Sequence, residues 1–124
     1  MELLYEAQAK GLTVEQVVGA LPVEPDPYAT TVALGVAADI AGLDDLLART
    51  AQGWALARMA TVDLALLRMA TWELAHRPDV PTAVAISEAV ALAKQFSTED
   101  SGRFVNGILA TVAAELRADA TPSA

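Results

Sequence analysis

The side chains that most often carry out chemistry are few in this chain. Its 124 residues contain one histidine, His76, and no cysteine, so neither a disulfide nor a thiolate metal site can form. Adjacent acids occur at Asp44 and Asp45 and at Glu99 and Asp100, where two carboxylates could share a proton or hold a cation. Neither pair fits a calcium-loop pattern, and phosphate-binding loops and Gly-x-Ser-x-Gly turns are absent from the sequence. We therefore predict no catalytic site, no metal and no cofactor. The pair Asp44 and Asp45 is predicted to lie on a solvated face, and the pair Glu99 and Asp100 is predicted to start a helix. His76 is predicted to have a structural role at the end of a helix.

A second group of residues lies in the run Glu99-Asp-Ser-Gly-Arg-Phe-Val-Asn-Gly107. Here Phe104 is followed by Asn106 and Gly107, residue types that weaken a helix interior. Taken alone, the residues favour Phe104 as a core side chain, Asn106 as a buried amide with its hydrogen bonds satisfied, and Gly107 as a close contact between helices. Trp54 and Trp72 are likewise predicted to be core or interface anchors.

The charge of the chain argues against strong unaided binding to RNA. The formal net charge is −8, with an isoelectric point near 4.4, whereas affinity for phosphate backbones comes mostly from Lys and Arg. The eight basic residues are also dispersed, with no two adjacent. The N-terminus is acidic and no apolar run approaches the roughly 20 residues of a membrane helix, which predicts a cytoplasmic protein without a membrane span.

The elements that position these residues are predicted to be helices, since alanine and leucine dominate and glycine or proline separates the apolar stretches. Short helices are predicted from Glu2 to Lys10, ended by Gly11, and from a Thr13/Gln16 capping box to Leu21. The prolines of residues 22–27 predict a non-helical connection. Four further helices are predicted: a long one at 28–50, one at 60–76, one starting after Pro81, and a last one starting between Ser97 and Ser101. Together they predict an all-α single domain at residues 1–117, with a flexible C-terminal tail at 118–124.

Apolar stripes indicate which helix faces form the core. The helix at 60–76 is apolar on nearly every side, which is typical of the centre of a bundle. Gly35 and Gly42 are predicted to let another helix approach closely. The other helices each carry one stripe, listed here in chain order: Val32, Val36, Ile40, Leu43 and Leu47; Ala85, Ile86, Ala89, Leu92, Ala93 and Phe96; Val105, Ile108, Leu109, Val112 and Leu116.

Two stretches, Val62 to Leu74 and Asp79 to Leu109, together resemble the C-terminal half of the NusB family of transcription antitermination factors. The resemblance covers most of residues 53–116. It combines a helix, a Val-Pro helix start, a second helix and the run from Glu99 to Gly107, all in the order typical of the family. The resemblance implies a NusB-like compact bundle of about six to seven helices.

The resemblance also implies a function and partners. NusB proteins are non-enzymatic factors that bind the boxA RNA of ribosomal RNA leader transcripts together with NusE, a small-subunit ribosomal protein, and help RNA polymerase read through terminators. The resemblance places the run around Phe104 near the RNA surface, where Phe104 and Tyr5 could stack on unpaired bases and Arg103 could hold a phosphate. Asp100 and Asn106 complete the predicted RNA-binding set. An acidic helical body would suit a basic partner such as NusE.

One departure from the family leaves several explanations open. NusB proteins usually open with an arginine-rich segment, and here only Met1 and Glu2 precede Leu3. The functional start could lie upstream, the chain could depend on its partner for RNA affinity, or it could be a NusB-like interaction module that forms a homodimer without binding RNA. A further alternative is the accessory NusB-like domain of a ribosomal RNA cytosine methyltransferase.

Overall fold

The described residues, 2–51 and 55–117, form seven α-helices and one short 3-10 turn, and no strand occurs within these two ranges. The coordinates are a computed structural model. The all-α class agrees with the sequence prediction, and seven helices agree with the six to seven that the resemblance implies, whereas the residues alone predicted six. In chain order the helices are α1 Glu2–Lys10, α2 Val14–Ala20, α3 Pro27–Ala38, α4 Ile40–Thr50, α5 Thr61–His76, α6 Thr82–Phe96 and α7 Glu99–Leu116, with the 3-10 turn at Leu56–Arg58 between α4 and α5. Met1, Trp54 and the predicted tail at 118–124 lie outside the described residues.

Local signals set the ends of the first two helices. Gly11 follows α1 with φ of 66°, a left-handed conformation that glycine adopts without steric cost. The Oγ1 atom of Thr13 accepts a hydrogen bond from the Gln16 amide at 3.1 Å, and Gln16 Oε1 accepts one from the Thr13 amide at 2.9 Å. The predicted capping box is therefore confirmed.

The predicted long helix at 28–50 is wrong, because the chain breaks at Asp39 into α3 and α4. Asp39 has φ of −122° and ψ of 26°, and its amide donates to the carbonyls of both Gly35 and Val36. The change of direction lets both halves reach the core while Ile40, at the bend, stays exposed. Gly42 faces the Asp39 side chain within its own segment, not another helix as predicted.

The same region starts one residue earlier than predicted. Pro27 is the first residue of α3, and the Asp26 carboxylate caps the helix by accepting from the Ala29 amide at 3.0 Å. Proline suits this position because the first amides of a helix lack an internal acceptor. The non-helical connection between α2 and α3 therefore covers residues 21–26, where residues 22–27 were predicted.

Helix α5 is the centre of the bundle, as predicted from its apolar surface. It packs against α1, α3, α4, α6 and α7, and most of its first three turns are buried. Gly35 of α3 makes the predicted close contact, since a Cβ there would lie 2.3 Å from a ring carbon of Trp72. Trp72 is thus a packing residue, as predicted. The predicted stripes are buried or half-buried except Ile40, Phe96 and Leu116, which are exposed.

Polar contacts hold the C-terminal end of α5. The guanidinium of Arg117 donates to the carbonyls of Val80 at 2.7 Å and Arg77 at 2.8 Å and of Leu74 at 3.1 Å, which ties the end of α7 to the turn after α5. His76, predicted to be structural, ends α5 with its Nε2 3.9 Å from a carboxylate oxygen of Asp39.

Two further pairs fix the middle of α5 and its last turn. Arg68 holds Asp44 of α4 with two hydrogen bonds of 2.8 Å, so the prediction that both Asp44 and Asp45 are simply solvated is wrong for Asp44. The hydroxyl of Tyr28 donates to the buried Glu73 carboxylate. Desolvation, helped by that hydrogen bond, raises the pKa of Tyr28 to about 12.

Candidate nucleic-acid interface

The first half of α7 carries most of the predicted RNA-binding residues, and local capping decides where it begins. Thr98 has an extended backbone, and its Oγ1 accepts from the Ser101 amide at 3.0 Å. Glu99 and Asp100 then place carboxylates in the first turn, where the helix dipole favours negative charge. Burial of Val105, Ile108 and Leu109 turns one side of α7 into the core and leaves the opposite side at the surface.

Phe104 is half-buried against the main core and lies between two surface grooves. We call the first the Arg58 groove; it measures about 350 Å³ and is lined by Arg58, Met59, Ala60, Asp63, Thr98, Asp100, Ser101 and Phe104. We call the second the Gly107 groove; it measures about 360 Å³ and is lined by Thr50, Ala51, Arg103, Phe104, Gly107, Ile108 and Thr111. Phe104 is therefore both a packing residue and part of a surface on which a base could lie.

Arg103 and Asp100 are paired on this surface. A guanidinium nitrogen of Arg103 donates to the Asp100 carboxylate three residues earlier, while the two side chains remain 79% and 86% exposed. An ion pair in water contributes at most about 1 kcal/mol, so Arg103 can exchange Asp100 for a phosphate. Arg58 is a second exposed cation, on the other side of Phe104.

Two predictions made from residue type alone are wrong in this helix. Asn106 is exposed and is not a buried amide. It follows Phe104 by two residues, about 200° around a helix, so the two side chains leave α7 from nearly opposite sides. Gly107 does not serve a close helix contact, since a Cβ placed on it would meet nothing within 4 Å. The glycine of α7 that is in close contact is Gly102, where a Cβ would lie 2.7 Å from the Lys94 side chain.

Tyr5 lies in a different groove from Phe104. It is exposed on α1 and lines a groove of about 490 Å³ together with Val62 and Phe96 and with two acids, Glu2 and Glu6. We call this the Tyr5 groove. Val62 and Phe96 belong to the start of α5 and the end of α6, close in sequence to Asp63 and Thr98 of the Arg58 groove. The structure thus gathers Tyr5 and Phe104 near the same ends of α5 and α6, but in separate grooves.

Sequence reasoning missed three residues of this surface: Asp63, Ser101 and Arg58. Asp63 is only 6% exposed; its Oδ2 accepts from Ser101 Oγ at 3.0 Å. Its Oδ1 is buried and, within the described part of the chain, has no hydrogen-bond partner. Burying an unpaired acceptor costs about 1 to 3 kcal/mol, so Asp63 lowers the stability of the fold at this position. A signal was present in the sequence, since Asp63 is an acid inside the nearly all-apolar run of α5.

Comparisons with known proteins agree on one family. The family model described as "NusB family" matches residues 1–114. The transcription antitermination protein NusB of Sorangium cellulosum (strain So ce56) is 41% identical over 122 residues, which cover 94% of this chain and 87% of that protein. The solved structure of T. maritima NusB superposes with a TM-score of 0.82 at 35% identity, covering 92% of this chain and 84% of that one. A second solved structure, called "Crystal Structure of a Plectonemic RNA Supercoil", shares the fold with a TM-score of 0.79 at 23% identity, covering 98% and 91%.

Proposed function

This chain belongs to the NusB family, and on that premise we propose that it is a transcription antitermination factor that binds boxA RNA of ribosomal RNA leader transcripts. Its general role in transcription antitermination is supported by the named relative, which is similar over nearly all of its length. The proposal adds that the chain acts together with NusE, within the complex that lets RNA polymerase read through terminators. It further assigns the chain to the cytoplasm and assigns no enzymatic activity to it. None of the described helices is long and apolar enough to cross a membrane.

The placement of Phe104 between two grooves, with an exposed cation on each side, is the observation that carries the proposal. Unpaired bases of RNA are bound by aromatic stacking, and the backbone is bound by Arg and Lys. We therefore assign base stacking to Phe104 and phosphate binding to Arg103. Tyr5, exposed in the neighbouring groove, would stack on a further base of the same strand.

The polar members of the predicted set have different roles in this proposal. Asp100 modulates the site, because it pairs with the arginine that would hold phosphate. Asn106 is exposed on another side of α7 from Phe104, so it would reach RNA only where the strand passes around the helix. Among the residues to which we assign a favourable contact with RNA, Asn106 is therefore the one whose loss should weaken binding least.

The net charge of −8 explains why a partner belongs in the proposal. Each phosphate contact gains affinity by releasing counterions, and this surface offers few such contacts. A basic partner such as NusE would neutralise part of the acidic body and add cations next to the RNA. The partner should then change the affinity of the chain for RNA much more than it changes the preference for the boxA sequence.

The test is a titration of fluorescently labelled boxA RNA with this chain, with and without NusE, at several salt concentrations. We expect binding that is strengthened by NusE, decreases with salt, and is lost with a scrambled RNA of the same length and composition. Equal binding of boxA and scrambled RNA, or no binding of either in the presence of NusE, would refute the proposal.

A second candidate function is a protein-interaction or dimerisation module without RNA binding. The observation that favours it is the Tyr5 groove, where the aromatic rings of Tyr5 and Phe96, 42% and 47% exposed, lie beside Glu2 and Glu6. Lys10 also lines the groove and pairs with Glu6 at 2.6 Å, so the charge beside the rings is negative on balance, which fits a basic protein surface better than a phosphate backbone. Binding of NusE or self-association, measured by analytical ultracentrifugation together with absent RNA binding, would favour this alternative.

A further inference from the structure

Gly107 occupies a position where a glycine weakens the fold. It is the ninth residue of the 18-residue helix α7. In the interior of an exposed helix, glycine is less favourable than every ordinary residue but proline, because it leaves the unfolded chain more freedom. A reason internal to the fold would have to offset that cost.

The structure supplies none of the usual internal reasons. The backbone of Gly107 has no positive φ; among the described residues that conformation occurs at Gly11. No neighbouring helix or side chain occupies the space of a side chain there, since a Cβ would meet nothing within 4 Å. Gly107 is also nine residues before the end of α7, so it does not terminate the helix. The missing side chain therefore leaves empty space on the outside of the molecule, in the Gly107 groove.

We propose that the missing side chain at Gly107 makes room for one nucleotide of a bound single-stranded RNA, which enters the Gly107 groove and packs its sugar or base directly on the backbone of α7. This inference rests on the proposed RNA-binding function and adds Gly107 to the residues that position the strand. The nucleotide would be the neighbour of the one that lies on Phe104, because Phe104 forms a wall shared by the two grooves.

The lining of the groove fits a nucleotide better than a protein side chain. Arg103, exposed at one wall, offers a cation for the phosphate, and Phe104 offers aromatic surface. Thr50 and Thr111 each donate their hydroxyl proton to a carbonyl of their own helix, at 2.9 Å and 3.3 Å. Their oxygens keep lone pairs that can accept a hydrogen bond from a ribose 2′-hydroxyl, a group that distinguishes RNA from DNA.

A graded pair of substitutions tests the inference. Gly107→Ala adds one methyl group to the groove, and Gly107→Leu fills much more of it; both new residues favour helix. We expect both variants to unfold at a higher temperature than the unaltered chain. We expect the dissociation constant for boxA RNA to rise slightly in the alanine variant and by roughly tenfold or more in the leucine variant. A tenfold rise corresponds to the loss of about one stacked nucleotide.

Gly19 provides matched control variants. It is also helical and exposed, and a Cβ placed on it would meet nothing within 4 Å, but it lies near the end of α2 and lines neither groove beside Phe104. Gly19→Ala and Gly19→Leu should leave the RNA dissociation constant unchanged. They control for general effects of a more stable helix or a more apolar surface.

The outcomes separate this inference from the function on which it rests. Absent binding of boxA RNA by the unaltered chain, with and without NusE, would refute the proposed function and the inference together. Normal RNA binding by Gly107→Leu would refute the inference alone. The inference is also wrong if Gly107→Leu weakens capture of NusE but leaves the binding of RNA unchanged, since the groove would then receive protein.

Discussion

Replacing Asp100 by asparagine should strengthen RNA binding, although Asp100 belongs to the predicted RNA-binding set. Asp100 has two unfavourable effects on a phosphate near Arg103: it occupies the guanidinium and it repels the anion. Both side chains are mostly in water, so the effects are those of a high-dielectric environment. The Asp100→Asn change keeps the size of the side chain and removes only its charge.

The expected gain follows from the geometry. A phosphate held by Arg103 would lie about 6 Å from the Asp100 carboxylate, where two unit charges in water repel by about 0.7 kcal/mol. Physiological salt roughly halves this repulsion. Release of Arg103 from its exposed ion pair adds about 0 to 1 kcal/mol. The sum predicts RNA binding that is roughly two- to tenfold tighter, with a larger gain at low salt.

Fluorescence anisotropy with labelled boxA RNA, at two salt concentrations, measures this gain. Glu99→Gln is the matched control, because Glu99 is an exposed acid one residue earlier in the same helix turn and pairs with Lys94 at 4.0 Å rather than with Arg103. It removes the same charge from the helix start without releasing Arg103, so its effect on affinity should be smaller. Weaker RNA binding by Asp100→Asn than by the unaltered chain would refute the reasoning and indicate that the carboxylate itself accepts a hydrogen bond from a base.

Three further substitutions test the site and the bundle. Phe104→Ala should weaken RNA binding by about 1 to 3 kcal/mol if the ring stacks on a base; unchanged affinity in a titration, with folding verified by circular dichroism, would contradict the stacking role. Arg117→Ala should lower the free energy of unfolding by about 2 to 4 kcal/mol, since it leaves several carbonyls after α5 without their charged donor; urea unfolding measures this, and Arg117→Lys should lose less. Gly35→Ala should destabilise by about 1 to 3 kcal/mol, because the new methyl overlaps the Trp72 ring; an unchanged melting temperature would show that the ring moves aside without cost.

The ends of the helices were the part of the fold that the sequence predicted best. The Thr13/Gln16 capping box and the glycine after α1 act within a single helix turn, so their residue types identify them. The break at Asp39 escaped prediction. No proline or side-chain cap precedes α4, and the apolar stripe continues across the bend because Val36 and Leu43 both reach the core from their separate helices.

In the candidate site, too, the sequence predicted local features correctly and failed for features that depend on tertiary packing. The run around Phe104 indicated the NusB family from sequence alone, and with it an RNA-binding role, because a family motif is defined by the order and spacing of its residues. Exposure did not follow from residue type: Asn106 and Phe96 were expected inside and lie at the surface, whereas the acid Asp63 is buried. Whether a side chain is covered depends on which distant helices pack over it, and α5, α6 and α7 are brought together only by folding.

The chain by itself therefore determined its all-α class, most of its helices, its family resemblance and the residue types available for the proposed binding of RNA. Only the tertiary structure decided which of those residues share a groove and that Gly107 opens onto empty space. The physical reason is one of range: caps and helix propensities act over three or four residues, whereas burial and grooves arise from contacts between segments far apart in the chain.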